Sequence, residues 1–150
     1  MQRAPGVWVV PNFAQTVLGV DPAVLLQDLQ KYPKRGGGED IVPGVVQWVN
    51  GENEALQMRG HKLRRDKIWL QRGPVEGFRR YWYTGWQWKV LPAAVDVARC
   101  PEVLPVADAF DRWCEKQGVP AANHYIVTAY EDGQHSIGYH FDKARSMDPN

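Results

Sequence analysis

Residues 123–142 read NHYIVTAYEDGQHSIGYHFD, and they carry most of the information in this 150-residue sequence. The pattern predicts one strand from His124 to Tyr130 and a second from Ser136 to Asp142. Glu131-Asp132-Gly133 lies between them and is typical of a turn. We therefore expect two consecutive strands near the end of the chain.

Four side chains of this segment are oriented by the alternation of a strand. Residues two apart point to the same side, so Thr128 and Tyr130 are expected to share one face, and His140 and Asp142 another. One imidazole and one carboxylate are two corners of a 2-His-1-carboxylate site, which binds Fe(II) and leaves coordination positions open. An isolated His-x-Asp pair also arises by chance on an exposed strand, so the surrounding sequence has to decide between these interpretations.

The rest of the chain predicts a mixture of helices and strands. Asp21-Pro22 is a typical helix start, and the helix is expected to continue to about Lys31. Apolar residues recur at helical spacing from Val106 and end at Gly118, which predicts an amphipathic helix. Strands are predicted at 7–10 (buried), 45–49 and 78–83, and a mobile loop at 32–38. Helices lie early and strands predominate late, so the predicted fold class is α+β.

Composition excludes several classes of protein. Apolar residues make up 44% and charged residues 23%, which is enough for a packed core and unlike a disordered chain. No apolar run is long enough for a transmembrane helix, and the apolar run Val7 to Val10 is too short for a signal peptide. Cys100 and Cys114 are expected to be reduced thiols. We therefore expect an intracellular protein, in the cytoplasm or in the nucleus of a eukaryote, with no membrane partner.

The net charge of +1 conceals a basic segment. Residues 59–80 contain eight basic and two acidic residues, a net charge of +6, whereas the remainder contains ten basic and fifteen acidic residues, a net charge of −5. Such a segment is suited to contact phosphates, and it is equally compatible with a solvated charged loop.

The spacing Tyr130-x2-Gly133-x3-Ile137-x2-His140-x-Asp142 resembles the AlkB-like branch of the Fe(II)/2-oxoglutarate dioxygenases. In that family an Asn-x-Tyr strand, a glycine turn and a strand ending in His-x-Asp follow one another at this spacing. Upstream, Tyr81-Trp82-Tyr83-Thr84-Gly85 resembles the family's aromatic strand, and Arg64-Arg65 resembles the Pro-Arg region before it. The resemblance covers about residues 58–150.

This resemblance implies a fold and a set of site residues. The chain would be one C-terminally incomplete domain, with an N-terminal extension at 1–57, a basic and aromatic substrate-side segment at 58–90, and a helix with the first strands of a jelly-roll (double-stranded β-helix) core at 91–150. The implied Fe(II) ligands are His140 and Asp142. Tyr130 would contact 2-oxoglutarate, as would Thr128, which stands where the family usually has Asn. The implied substrate-binding residues are Tyr81, Tyr83, Arg64 and Arg65.

The resemblance also implies a reaction. Family members use Fe(II) and 2-oxoglutarate to oxidise the N-alkyl groups of nucleic-acid bases, and a methyl group is released as formaldehyde. A base must leave the helical stack to reach such a site. The expected partner is therefore DNA or RNA, bound through the basic segment with an affinity that falls as salt rises. Lys143-Ala144-Arg145 follow the predicted iron-binding Asp, where many DNA-acting relatives carry acidic residues.

Two groups of the family pattern fall outside the sequence. The family places its second iron-binding His some tens of residues after the Asp, and an Arg that pairs with 2-oxoglutarate lies further on, but only eight residues follow Asp142. We therefore expect the N-terminal part of a longer reading frame. On its own, this part is expected to bind iron weakly or not at all, to show no turnover, and to be marginally stable and prone to aggregation through unpaired strand edges.

Three alternatives remain open from the sequence. The first is a dioxygenase that acts on a protein or a small molecule. The second is a non-catalytic nucleic-acid-binding module with a degenerate dioxygenase fold. The third is a small α+β domain whose motif matches arose by chance. Salt-sensitive binding of nucleic acid would separate the first from the proposed base demethylase, and a metal site at His140 and Asp142 would argue against the other two.

Overall fold

The computed structural model describes residues 2–4, 7–36, 40–49, 57–58, 61–62, 65–73 and 93–130. Within these ranges the protein is α+β, with three α-helices and a five-stranded mixed sheet that does not close on itself. The predicted α+β class is confirmed. Outside this sheet, β1 (Gln2–Ala4) pairs with β2 (Val7–Trp8), and β5 (Gln57–Met58) pairs with β6 (His61–Lys62), both antiparallel.

The central strand of the sheet is β7 (Asp66–Gln71). One edge of β7 pairs antiparallel with β9 (His124–Ala129) over its whole length, from Asp66↔Ala129 to Gln71↔His124. The other edge is shared by two short strands. β4 (Trp48–Val49) is antiparallel to β7, and β8 (Val95–Asp96) is parallel to it. β3 (Lys34–Arg35) continues the sheet beyond β4 in parallel pairing.

One face of the sheet packs against helices and forms the core. Ile68 and Leu70 of β7 are 1% and 0% exposed, and their neighbours on β9, Val127 and Tyr125, lie on the same face. The other members of this apolar cluster come from the helices and from the segments before them: Leu29, Val46, Trp48, Val95, Val97, Cys100, Val103 and Ala107. The core therefore joins residues that lie far apart in the chain.

The first two helices precede the sheet. α1 is one turn, Phe13–Thr16, and α2 is Pro22–Leu29. The Asp21 carboxylate accepts a hydrogen bond from the Ala23 N–H at 2.9 Å, which confirms the predicted cap. At the other end of α2, the indole Nε1 of buried Trp48 donates to the Leu29 carbonyl at 2.9 Å. This bond satisfies a carbonyl that the helix end leaves without an intrahelical partner.

The third helix, α3 (Leu104–Gln117), follows a short 3-10 turn at Val97–Arg99. Gly118 ends it in the left-handed conformation (φ 68°), which glycine adopts without steric cost, so the predicted end is confirmed. Ala107 and Cys114 face the core. Another side of the helix carries Phe110 and Trp113, which pack edge-on against Phe13 of α1 at centroid distances of 6.5 and 5.1 Å.

A partly buried carboxylate, that of Glu102, joins α2 to the start of α3. Burial alone would raise the pKa of Glu102, but hydrogen bonds from Lys31 and from the Tyr32 hydroxyl, the latter at 2.7 Å, lower it to about 2. Burial and the bond to Glu102 in turn raise the pKa of Tyr32. Neighbouring Cys100 is fully buried, and burial raises the pKa of its thiol. Both Cys100 and Cys114 are free thiols, as the sequence predicts.

The ionisation of Glu102 makes the unfolding free energy depend on pH. Its pKa is lower in the folded protein than its ordinary value of 4.5, so its stabilising effect is complete above about pH 4.5 and is lost as the pH falls towards 2. We expect Glu102→Gln to lose about 1 kcal/mol of unfolding free energy at neutral pH, because the neutral amide forms a weaker hydrogen bond with Tyr32. The difference from wild type should shrink in acid. Urea titrations at about pH 6 and about pH 3 measure it. Exposed Glu115→Gln is the control, and a Glu102→Gln deficit that persists in acid would contradict the interpretation.

Several local predictions were wrong. Strand β2 ends at Trp8, and Val9 and Val10 are exposed instead of buried. Of the predicted strand 45–49, only Trp48–Val49 pairs, and the Gln47 side chain bonds the backbone N–H and carbonyl of Val42. Within the predicted loop 32–38, Lys34–Arg35 form β3. Helix α2 ends at Leu29, two residues earlier than expected.

The basic segment 59–80 is not a solvated loop over its whole length. Residues 66–71 form the central strand, and four of these six side chains are at most 4% exposed. Strands β3 and β4, which the sequence assigns to an N-terminal extension at 1–57, belong to the same sheet as β7. Among the helices of the described ranges, none is long and apolar enough to cross a membrane.

Candidate functional site

The β7–β9 pair has a second face that points away from the helical core. The antiparallel register places Lys67 opposite Thr128, Trp69 opposite Ile126 and Gln71 opposite His124. Alternation along each strand puts these side chains on the face opposite to Ile68 and Leu70. We define the second face as Arg65, Lys67, Trp69 and Gln71 on one strand and His124, Ile126, Thr128 and Tyr130 on the other.

Arg65 and Tyr130 meet at one end of this face. Arg65 directly precedes β7 and Tyr130 directly follows β9, so they extend the register of Asp66 and Ala129 by one pair. The Arg65 Nη1 donates a hydrogen bond to the Tyr130 hydroxyl oxygen at 3.2 Å. The Nε of Arg65 is buried and has no hydrogen-bond partner within the described ranges. A predicted substrate-binding residue and a predicted co-substrate-binding residue are therefore in direct contact.

Lys67 brings a second positive charge to the same end. It lies opposite Thr128, and its Nζ is 4.9 Å from the centre of the Trp69 ring, within the range of a cation–π contact. Asp66, the sequence neighbour of both cations, alternates to the core side and forms an ion pair with Lys34 at 2.9 Å. This end of the second face therefore presents two cations and two hydroxyl groups, a combination that favours small anions.

The opposite end of the strand pair is fixed to α3 by ionic bonds. Arg72, just after β7, donates to Asp108 at 2.7 Å and to Asp111 at 2.6 and 3.1 Å. The Tyr125 hydroxyl of β9 donates to the same Asp111 at 2.9 Å. We call these four residues the Arg72 cluster. Burial and the bond to Asp111 raise the pKa of Tyr125 to about 12, so the phenol stays protonated and continues to donate.

Arg72 is also held in its charged form. Burial alone would lower the pKa of its guanidinium, but the hydrogen bonds to Asp108 and Asp111 raise it above its ordinary value. Its guanidinium also lies 5.5 Å from the centre of the Tyr125 ring. The cluster thus fixes the last residue pairs of β7 and the first of β9 against a helix.

Three of the predicted site residues lie within the described ranges, and the structure brings them together. Thr128 and Tyr130 share the second face of β9 as the sequence predicts, and Arg65 contacts Tyr130. The predicted iron ligands His140 and Asp142 lie outside the described residues. The predicted substrate residues Tyr81, Tyr83 and Arg64 lie outside them as well.

Comparison of the chain with known proteins gives no further guide. No protein-family model matches it, and neither does any curated protein or solved structure. Its function is therefore inferred from its own residues. Within the described ranges, no three His, Cys, Asp or Glu side chains are grouped closely enough to hold a metal ion. These ranges do not include His140 or Asp142.

The sequence does not identify Lys67 and Trp69 as part of the site. Both belong to the second face, and residues 65, 67, 69 and 71 have the two-residue spacing of one face of a strand. The strand is hard to recognise from the sequence because the charged residues Asp66 and Lys67 are untypical of a strand buried on both faces. Alternation along the segment puts both cations on one face, and the pairing of β7 with β9 puts that face on the side of Tyr130.

Proposed function

We propose that this chain carries part of an AlkB-like Fe(II)/2-oxoglutarate dioxygenase that removes alkyl groups from nucleic-acid bases by oxidation. The observation that carries the proposal is the position of Thr128 and Tyr130. They occupy the family's Asn-x-Tyr positions on a strand, they share the face away from the helices, and a cation contacts the tyrosine. The His-x-Asp pair follows ten and twelve residues after Tyr130, at the spacing of the family.

Burial of Trp69 and Gln71, which form one part of the second face, supports a jelly-roll core. In a jelly roll two sheets pack face to face, so the inner face of each sheet is enclosed although helices cover only the outer one. Trp69 and Gln71 are 4% and 0% exposed on the face away from the helical core. In the proposed fold this face lines the interior of the barrel, where a co-substrate would bind.

The residues of the second face fit the chemistry of 2-oxoglutarate. This co-substrate is a dicarboxylate, and carboxylates are bound by hydroxyl and guanidinium donors such as those of Tyr130, Thr128 and Arg65. His140 and Asp142 would hold Fe(II), and iron with 2-oxoglutarate and dioxygen would supply the oxidising power that hydroxylates an N-alkyl group, with dioxygen as the oxidant. The contributions of the protein itself are to bind the dicarboxylate, to exclude water and to orient the substrate.

Thr128 changes one contact relative to the family pattern. An Asn side chain offers both an amide donor and an acceptor, whereas Thr offers one hydroxyl that can donate a single hydrogen bond. Lys67 lies directly opposite Thr128 on the same face and supplies a positive charge beside it. We propose that Lys67 compensates in part for the missing amide donor.

A metal titration tests the proposed iron site in the protein as it stands. Mn(II) replaces Fe(II) at carboxylate and imidazole sites and broadens the NMR signals of nearby nuclei, so even weak binding is detected. We expect substoichiometric Mn(II) to broaden the amide signals of residues 138–144 in the wild type. His140→Ala and Asp142→Ala should each abolish this broadening, because each removes one of the two proposed ligands.

His135→Ala is the matched control, since it removes another histidine of the same segment and should leave the broadening intact. Equal broadening in wild type, His140→Ala and Asp142→Ala would overturn the iron site. In the full-length protein, formaldehyde release from an N-methylated oligonucleotide should require Fe(II), 2-oxoglutarate and both residues. Salt-sensitive oligonucleotide binding that persists without any metal site would instead indicate the non-catalytic binding module.

A further inference from the structure

We propose that Arg35 and Arg65 form a binding site for a phosphate group on the second face of the sheet. Arg35 belongs to β3, whereas Arg65 directly precedes β7, so the two cations come from distant parts of the chain. Each has a buried Nε that finds no acceptor among the described residues. The inference goes beyond the proposed function and does not depend on it, because Arg35 lies outside both the basic segment 59–80 and the residues 58–150 that carry the resemblance.

Pairing across the sheet places Arg35 on the second face. Arg35 lies opposite Val49 of β4, and Val49 lies opposite Lys67 of β7. Residues paired in this way point to the same side of a sheet. Lys34, the neighbour of Arg35, accordingly points to the helical side, where it forms an ion pair with Asp66. The second face therefore continues from β7 across β4 to β3.

The unused edge of the Arg65 guanidinium is turned towards this part of the face. Its Nη1 donates to Tyr130 on the side of β9, whereas the N–H groups of Nε and Nη2 form another edge, which points away from that hydroxyl. β4 and β3 follow on the other side of β7. Neighbouring strands are about 5 Å apart, so the backbones of β3 and β7 are separated by about 10 Å. Two arginine side chains that start from these strands can reach one anion between them.

The charges on this part of the face favour an anion. Lys67 lies two residues from Arg65 and adds a third positive charge. Among the described strands of this sheet, the register places one carboxylate on the second face, that of Asp96, opposite Gln71 at the far end of β7. It is already engaged, because it accepts the backbone N–H of Ala98 at 3.0 Å. Buried charged donors without an acceptor are unfavourable, and a bound anion would satisfy them.

A phosphate group suits two guanidinium groups better than a carboxylate does. A carboxylate has two oxygens, and a single guanidinium edge occupies both of them with parallel hydrogen bonds. A phosphate group has at least three acceptor oxygens and about two negative charges at neutral pH. It can therefore accept paired hydrogen bonds from two arginines at once, which is the geometry that arginine provides and lysine does not. The ligand class is inorganic phosphate or a phosphate ester.

Inorganic phosphate tests the site in the 150-residue protein. The Nε–H groups of isotope-labelled arginines give their own NMR signals, which report directly on the two guanidinium groups. We expect the signals of Arg35 and Arg65 to shift along one saturable curve with one Kd, because both donate to the same anion. Sodium chloride at equal ionic strength is the reference, since it reproduces the screening but not the hydrogen bonds. Two different Kd values, or no saturable shift up to tens of millimolar phosphate, would overturn the site.

Substitutions test the same site independently. Arg35→Met and Arg65→Met should each raise the Kd for inorganic phosphate about tenfold, because each removes a pair of charge-assisted hydrogen bonds. Arg35→Lys keeps the charge but loses the paired donors, and should fall between wild type and Arg35→Met. Arg112→Met is the matched control, because it removes the same charge from an exposed position on α3 and should leave the Kd unchanged. A folded Arg35→Met that binds phosphate as tightly as wild type would contradict the proposal.

Competition identifies the source of the phosphate group. A thymidine oligonucleotide without terminal phosphates offers only backbone phosphodiesters. If it displaces inorganic phosphate from the Arg35 signal, the site holds the backbone of a nucleic acid; if it does not, the site holds free phosphate or a phosphate monoester. Both results keep the site. Neither depends on Mn(II) binding at His140 and Asp142, so the phosphate site and the proposed function fail separately.

Discussion

Replacing Leu70 by alanine is expected to lower the free energy of unfolding by about 2 to 5 kcal/mol. Leu70 is fully buried in the central strand β7, where it contributes to the cluster that joins the sheet to α2 and α3. Truncation removes apolar contacts and leaves a cavity that a strand paired on both edges cannot collapse to fill. Urea denaturation followed by tryptophan fluorescence measures the loss.

Val119→Ala is the control for the Leu70 variant, since Val119 is 46% exposed just after α3 and its truncation should change the stability by about 0.5 kcal/mol or less. The whole loss in Leu70→Ala is a large fraction of the stability of an ordinary domain, so that variant is liable to unfold. Ile68→Val then gives a second measurement, with an expected loss of about 1 kcal/mol. Losses below those of the Val119 control would mean that β7 is not the centre of the core.

The second large effect is expected from Arg72→Met. This change keeps the length of the side chain but leaves the Asp108 and Asp111 carboxylates without their cation, and we expect a loss of about 2 to 3 kcal/mol. Asp108 is 44% exposed, so much of the loss is expected to come through Asp111, whose side chain is 22% exposed. Denaturation in low and high salt measures it, and the loss should shrink little with salt if the bond to Asp111 dominates.

A double-mutant cycle separates the ion pair from general damage to the fold. Arg72→Met, Asp111→Asn and the double variant should show a coupling energy of about 1 kcal/mol or more, because the pair shares two hydrogen bonds. Arg72→Met combined with Glu115→Gln should be additive, since Glu115 is exposed and makes no part of the cluster. Additive losses in the first pair would show that Arg72 stabilises the protein through packing instead.

Local sequence signals predicted the elements whose determinants are local. The Asp21-Pro22 start of α2, the helical spacing up to Gly118 and the alternation that begins at His124 each depend on near neighbours, and the structure confirms all three, with the last strand ending at Ala129, one residue earlier than predicted. The orientation of Thr128 and Tyr130 follows from the same alternation. Half of the candidate site, the part on β9, was therefore predictable from the sequence.

The other half of the site was hidden because its determinants are distant in the chain. β7 contains Asp66 and Lys67, two charges that argue against a buried strand. Asp66 is tolerated in the strand because it forms an ion pair with Lys34, thirty-two residues earlier. Lys67 is tolerated because its ammonium group packs over the ring of Trp69. The short strand β3 likewise exists only because β4 pairs with it. No local pattern encodes these partners.

Periodicity also overstated the burial of short apolar runs. Val9 and Val10 resemble the interior of a strand, but pairing ends at Trp8 and both valines are exposed. Leu26 has the spacing of a core residue in α2, yet it is 39% exposed, while Leu29 is fully buried. A rotation of the helix about its own axis would exchange which of these leucines is buried. Tertiary packing decides that rotation.

The alternation of β7 has a practical consequence for altering this protein by directed evolution. Even-numbered positions 66, 68 and 70 are committed to the helical core, whereas odd-numbered positions 65 and 67 meet positions 128 and 130 of β9. A combinatorial library restricted to codons 65, 67, 128 and 130 would vary which anions the surface accepts and leave the scaffold unchanged. Randomising codons 66, 68 and 70 would mostly yield unfolded clones.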